Sequence, residues 1–323
     1  MKKRSHLFIP LLSAACMTAF CSCGSETVSS ESFVFDTYSR VTVCGQDAED
    51  VLKSVGNALE EFSGAFELCY GTEASELPDN EAYRDCFDKA KALNEVYGDG
   101  VNVACGALTE LWGISTPDPR VPSDEEIAEA MGKITCERYG DFPDGMKLDF
   151  GAVAKGYACD RAYEFLESTE TEYAVVSLSS TTLLYGEKPD GTDFKIGVTD
   201  PLTGEGYMGI IGTEAAFAST SGGYERYFEA QGERYCHILD MNTGRPAETD
   251  LISVTVTVPA DTPNGGIMSD FLATLIYIGG SEELDKWLDC GDIEVVAVRD
   301  DGAVYSSCKG FELDESGGYH YGK

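Results

Sequence analysis

The run Leu148-Asp149-Phe150-Gly151-Ala152-Val153-Ala154-Lys155-Gly156-Tyr157-Ala158-Cys159-Asp160-Arg161-Ala162 constrains this chain more than any other. It reads as a strand end, a tight glycine turn and a helix with small residues on one face. Ala154, Ala158, Ala162, Phe165 and Leu166 recur at the spacing of a helical apolar stripe. Alanines on that stripe let another backbone or a flat ligand come close. Asp149 stands just upstream, where the free N–H groups of a helix start favour a carboxylate. A capped strand–helix junction serves packing and binding alike, so the rest of the chain has to decide between them.

With 323 residues there is enough chain for one large domain or two small ones. No internal repeat or low-complexity linker divides it. Hydrophobic residues make up 43% and charged residues 25%, an ordinary globular balance. The formal net charge of -34 excludes a nucleic-acid surface, which needs clustered Lys and Arg. A phosphate-bearing ligand needs a metal ion or helix termini to offset repulsion by such a chain.

Met1-Lys2-Lys3-Arg4 followed by the apolar run 7–20, too short to span a bilayer, has the pattern of an export signal. The run ends in Phe20-Cys21-Ser22-Cys23-Gly24-Ser25-Glu26, which resembles a bacterial lipoprotein signal with Cys23 as the lipidated residue. Cys16, after Ser13-Ala14-Ala15, is a competing site. The expected organisation is a signal over 1–22, a polar tether over 23–32 and a single domain over 33–323. The protein is then exported and lipid-anchored on the outer face of the bacterial cytoplasmic membrane. Nine cysteines follow Cys23, an odd number without any C-x-x-C, which fits neither a disulfide scaffold nor a zinc site. Those within apolar runs read as small buried hydrophobes.

In chain order, 32–45 reads as a strand centred on Asp36-Thr37-Tyr38. Val51, Val55, Leu59, Phe62 and Phe66 make one helical face. A second helix covers about 80–97, closed by Gly98-Asp99-Gly100. A small apolar run spans 103–112, and an acidic helix ends at Gly132. Beyond the central motif, strands are expected at 173–178, 194–198, 252–258, 295–298 and 304–306. Helices are expected at 266–278 and 282–290, and a Ser/Gly-rich loop at 218–226.

Four stretches then occur in order. They are Asp149–Ala158, Thr220-Ser221-Gly222-Gly223-Tyr224-Glu225-Arg226, His237-Ile238-Leu239-Asp240 with Thr243-Gly244-Arg245-Pro246, and Asp270-Phe271-Leu272-Ala273-Thr274. Together they resemble the ApbE family of FAD:protein FMN transferases, over nearly all of the chain beyond the signal. The resemblance implies a single α+β domain, T-fold-like, of antiparallel sheets packed with helices. It also implies Mg²⁺-dependent transfer of FMN from FAD to a Thr or Ser hydroxyl of an acceptor protein, with release of AMP. In such a reaction positioning and charge neutralisation dominate. The implied acceptors are flavoprotein subunits of membrane or extracellular redox systems.

Asp270 and Thr274 are four residues apart on one helix, so their oxygens share a face. By the resemblance, these two side chains and the carbonyl of Ala152 hold the metal, an oxygen set suited to Mg²⁺. His237 then belongs to the reaction centre, as base for the incoming hydroxyl or as a contact to phosphate, and Asp149 is assigned there with it. Phe35, Tyr70, Asp99, Gly100, Val101, Asp149, Lys155, Thr220, Ser221, Gly222, His237 and Ile238 match positions that line the FAD site. Two departures stand out. Ser179-Ser180-Thr181 replaces the common Gly-Gly-Asn, and Asp99-Gly100-Val101-Asn102 alters the usual Gly and Asp placement. An FAD pyrophosphatase, with water attacking the same phosphorus, and a flavin-binding lipoprotein without turnover are the alternative readings.

Overall fold

The computed structural model describes residues 25–135, 137–291 and 293–322. The expected signal and Cys23 lie outside the described residues. Strands β1 (Glu26–Val34) and β2 (Thr37–Gly45) form a hairpin, in register from Glu26 opposite Gly45 to Val34 opposite Thr37. Phe35 and Asp36 close it with φ of 53° and 56°. A two-residue loop of this kind matches strand twist only with positive φ at both central positions. Placing a bulky side chain there costs about 1–2 kcal/mol. The Phe35 N–H donates to Ser63 Oγ at 2.6 Å, which fastens the turn to the next helix.

Two expectations give way at this hairpin. The stretch 32–45 is not one strand but folds back at Phe35–Asp36. The polar run expected as a tether is, from Glu26 onward, the edge strand of the main sheet. Backbone pairing is blind to side-chain polarity, and on an edge the polar side chains stay in water.

Helix α1 (Ala48–Cys69) buries Val51, Val55, Leu59 and Phe66, the face its spacing predicts. Helix α2 (Glu81–Tyr97) starts at Asn80, whose side chain accepts the Ala82 N–H. The apolar run 103–112 forms α3 (Gly106–Trp112) only over its second half. The acidic helix α4 (Asp124–Met131) opens with a reciprocal cap between Ser123 and Glu126. The central motif forms α5 (Ala154–Leu166), packed against β3 (Thr171–Leu178) and β4 (Thr181–Gly186).

Strands β5 (Phe194–Thr199), β6 (Tyr207–Thr213) and β7 (Ala216–Gly222) follow. Strand β7 replaces the first part of the expected Ser/Gly-rich loop and lies in the middle of the main sheet. Its buried hydroxyls are satisfied from outside the strand, Ser219 by Ser269 at 2.8 Å and Ser221 by Thr274 at 3.0 Å. Next come the small ribbons β8 (Tyr227–Ala230) with β9 (Glu233–Cys236), and β10 (Leu239–Asp240) with β11 (Arg245–Pro246).

Strand β12 (Leu251–Pro259) is buried along most of its length, and α6 (Gly265–Leu284) lies across it and β7. Helix α6 is buried over most of its length and mainly apolar, with Ser269, Asp270 and Thr274 as its buried polar residues. It breaks at Gly280 (φ 63°, ψ -158°), and its tail ends at Leu284, inside the separate helix expected over 282–290. The chain finishes with β13 (Glu294–Arg299), β14 (Ala303–Ser306), β15 (Phe311–Leu313) and β16 (His320–Tyr321).

The main sheet has the order β1-β2-β3-β4-β7-β12-β13-β14-β16, antiparallel except for the last pair, and β15-β6-β5 forms a second sheet. The α+β architecture of antiparallel sheets and packed helices is therefore as expected. Helices α5 and α6 meet backbone to backbone, since a methyl group at Gly156 or Gly266 would run into the other's carbonyl oxygen. Cys44, Cys69, Cys86, Cys159, Cys236 and Cys308 are buried, as expected of small hydrophobes. Among the described residues no helix is long and apolar enough to cross a membrane.

Candidate active site

A cavity of about 530 Å³ opens between the β1–β2 turn, the start of α5, the end of β7, residues 237–241 and one face of α6. That volume is within the range of small-molecule sites. The fold brings the expected residues together: Phe35, Tyr70, Gly100, Val101, Asp149, Ala152, Lys155, Thr220, Ser221, Gly222, His237, Ile238, Asp270 and Thr274 all line it. Asp99 does not. It is exposed on the turn after α2, and it is the stretch just after it, Gly100, Val101, Asn102 and Val103, that reaches the cavity.

Asp149 does something more local than capping a helix. Its Oδ1 accepts the Gly151 N–H at 2.7 Å and so holds the turn that leads into α5. The helix itself begins after Val153 with no side-chain cap. The turn brings Ala152 and Lys155 to the cavity that Asp270 of α6 also lines.

Asp270 is buried on α6. Its Oδ2 accepts the Gly156 N–H at 3.0 Å and its Oδ1 accepts the Thr181 hydroxyl at 3.3 Å. Burial raises its pKa, against the opposing charge of nearby Lys155 and these two hydrogen bonds. Among the described residues no cationic side chain forms an ion pair with it. One turn later Thr274 lines the same cavity, its hydroxyl hydrogen-bonded to that of Ser221. Carboxylate, hydroxyl and backbone carbonyl are hard oxygen donors, the kind that Mg²⁺ takes. Asp36, Glu67, Asp149, Glu225 and Asp270 line the cavity against Lys155 and Arg226 alone. An acidic cavity with a buried, unpaired carboxylate fits a divalent cation.

His237 follows β9. Its backbone N–H and its Nδ1 both meet the Arg226 carbonyl, at 3.0 and 3.2 Å. A carbonyl only accepts, so Nδ1 carries the proton and Nε2 keeps its lone pair. Burial, with Arg226 and Lys155 nearby, lowers its pKa to about 4, against the hydrogen bond to Arg226. The ring is therefore neutral at ordinary pH, in one tautomer, in the cavity that Asp270 also lines.

A sequence model of the ApbE family matches residues 35–297. The chain belongs to the ApbE family. An FAD:protein FMN transferase of Klebsiella pneumoniae is 33% identical over 222 residues, which are 65% of this chain and 68% of the relative. One from Treponema pallidum is 32% identical over 220 residues, 61% of this chain and 59% of the relative. The aligned region thus spans about three fifths to two thirds of these relatives. The crystal structure of the ApbE protein of Thermotoga maritima superposes with a TM-score of 0.75 and 26% identity, covering 91% of this chain and 98% of that one. The flavin transferase ApbE of Vibrio cholerae shares the fold, with a TM-score of 0.70 and 24% identity over 87% of this chain and 97% of that one.

The ApbE cleft also uses residues that sequence reasoning left without a role. Ser179 and Ser180 line it, and Ser179 has φ 61°, a conformation that glycine adopts freely. The departure from the common ApbE glycines is thus in side chain more than in backbone path. Trp112 is buried on the cavity wall and donates its Nε1–H to the Gly244 carbonyl at 2.8 Å. Arg226 matters through its carbonyl, and no residue pattern signals a carbonyl. The only sequence sign of Trp112 was its place at the end of an apolar run.

Proposed function

We propose that this ApbE-family chain transfers FMN from FAD to a Thr or Ser hydroxyl of an acceptor protein, releases AMP and requires Mg²⁺. The observation that carries this reading is His237. Its Nδ1–H is committed to the Arg226 carbonyl, which leaves Nε2 as a base in the cleft that also holds Asp270 and Thr274. The relatives named FAD:protein FMN transferases support the same reading.

Asp270, Thr274 and the Ala152 carbonyl are the groups that would hold Mg²⁺. When bound, the ion supplies the positive charge that lets a pyrophosphate settle among carboxylates. Phe35 and Tyr70 offer aromatic faces to the flavin or adenine ring, and Lys155 adds a cation near the phosphates. The acceptor oxygen attacks the phosphorus of the FMN half. A new P–O bond forms, the bond from that phosphorus to the bridging oxygen breaks, and AMP leaves with that oxygen. The hydroxyl proton passes to Nε2 of His237, a contribution of roughly 10²–10⁴ in rate. We also propose that the reaction takes place outside the cytoplasm, on a protein held to the membrane by lipid on Cys23, a reading that rests on the signal-like pattern of residues 1–22.

Incubation of the purified protein with FAD, Mg²⁺ and a candidate acceptor tests the proposal. Flavin fluorescence on the acceptor, with AMP in solution, is the expected outcome. FMN and AMP beside an unlabelled acceptor would mark a pyrophosphatase. Unchanged FAD would leave a flavin-binding protein without turnover.

A further inference from the structure

A second recess, of about 330 Å³, opens beside the cleft. Asp36, Ile114, Ser115, Glu225 and Arg226 border both, while Thr116 and Tyr227 border the recess alone. Arg226 joins the two chemically, because its carbonyl receives both hydrogen bonds from His237. The wall of the recess is therefore the wall that holds the base. FAD occupies the main cleft in the reading above, so the second reactant needs its own approach to Nε2. The recess shares Arg226 and four further lining residues with the cleft at that place.

Its surroundings are those of a protein-binding surface. Tyr227 is 42% exposed, with the Arg234 guanidinium 4.0 Å over its ring. Phe33, 71% exposed, faces Tyr38, 57% exposed, across the hairpin whose turn residue Asp36 borders the recess. Large exposed aromatic side chains are the residues that most often anchor a partner. Strand β1 is an edge of the main sheet, so its outer backbone groups are available to an added strand.

We propose that the recess bordered by Thr116 and Tyr227, together with the Phe33–Tyr38 end of the hairpin, docks an extended segment of the acceptor protein. That segment delivers its Thr or Ser hydroxyl to His237. The proposal rests on the transfer reading above and adds where the acceptor sits.

The test uses the protein without its signal, FAD, Mg²⁺ and a library of short peptides that each carry a single Thr. Thr116→Trp fills the recess and Tyr227→Ala removes its aromatic wall, and neither residue borders the main cleft. Labelled peptide is read by flavin fluorescence and mass, and FAD affinity by quenching of flavin fluorescence. Both variants should lose about tenfold or more in labelling at limiting peptide, the loss of an interface anchor. FAD affinity should be unchanged, and excess peptide should restore the rate of Tyr227→Ala. Labelling at the wild-type rate by both variants would overturn the docking surface and leave transfer standing. Equal losses of labelling and FAD affinity would also overturn it, by assigning the recess to the nucleotide. Wild-type protein that cleaves FAD yet labels no peptide would overturn transfer, and this surface with it.

Discussion

At the scale of single residues, the site depends on one imidazole held in one tautomer. His237→Ala should lower transfer by roughly 10²–10⁴, with FAD affinity and melting temperature close to wild type. Parallel loss of all three would make the residue structural. With its pKa lowered to about 4, His237 stays neutral through mildly acidic pH. Transfer measured as kcat/KM should therefore hold down to about pH 5 and fall as pH drops through about 4. The sign for stability follows from the same shift. The folded value lies below the unfolded value of about 6.5, so the contribution of His237 is present above about 6.5 and is lost as pH falls through about 4. Ser179 is a second case at this scale. Ser179→Gly relieves a positive φ and should raise stability by up to about 1 kcal/mol, read from the urea midpoint. An unchanged midpoint would mean that the serine side chain offsets the strain.

At the scale of elements, α5 and α6 act as one unit that carries the groups proposed to hold the metal. Asp160 of α5, buried at 4% exposure, accepts the N–H groups of Gly266 and Ile267 at 2.7 and 2.8 Å. It thereby satisfies two free donors at the start of α6. In return, Gly156 of α5 donates its N–H to Asp270 of α6. Asp160→Ala leaves two buried N–H groups without partners and should cost about 2–4 kcal/mol. Burial, against those two bonds, raises the pKa of Asp160 to about 6. Its contribution to stability is therefore present below about 3.9 and is lost as pH rises through about 6, opposite in sign to His237. Asp160→Asn should remove that decline, which thermal melts across pH 4–7 can read directly. Gly156→Ala drives a methyl group against the Gly266 carbonyl and within 2.9 Å of Asp270 Cβ. Mg²⁺ affinity should fall in this variant, because the helix that carries Asp270 and Thr274 has to shift.

At the scale of the whole molecule, charge governs binding. A chain of net charge -34, with five carboxylates against two cations on its cleft, repels a pyrophosphate. FAD and Mg²⁺ should therefore bind cooperatively, with a rise in melting temperature for the pair that exceeds the sum of the separate rises. Asp270→Ala should abolish the excess. If the separate rises merely add in the wild type, the shared site is wrong. The edge strand bears on location as well. The sheet begins at Glu26, so a lipid on Cys23 leaves only Gly24 and Ser25 before the fold. Cys23→Ser should move the protein from the membrane fraction to the soluble exported fraction or block processing. An unmodified mature N-terminus at another residue, found by intact mass, would refute the anchor.

The sequence by itself determined the elements whose signals are local. The apolar faces of α1 and α2, the cap of α4 and the stripe of α5, apart from the exposed Phe165, all follow from side chains within a few turns of one another. The ordered motifs likewise marked Asp149, Lys155, His237, Asp270 and Thr274 before any contact was known, and the cleft gathers all five. Only the tertiary structure decided the rest. Strand β7 reads as a loop until Ser269 and Thr274 of α6 satisfy its hydroxyls, and β1 reads as a tether until β2 pairs with its backbone. The tautomer of His237 depends on a carbonyl eleven residues away, and the start of α6 depends on Asp160 across a glycine contact. In each case the deciding partner is a backbone or hydroxyl group distant in the chain. Such groups occur in nearly every residue, so no pattern of residue types announces which of them will meet.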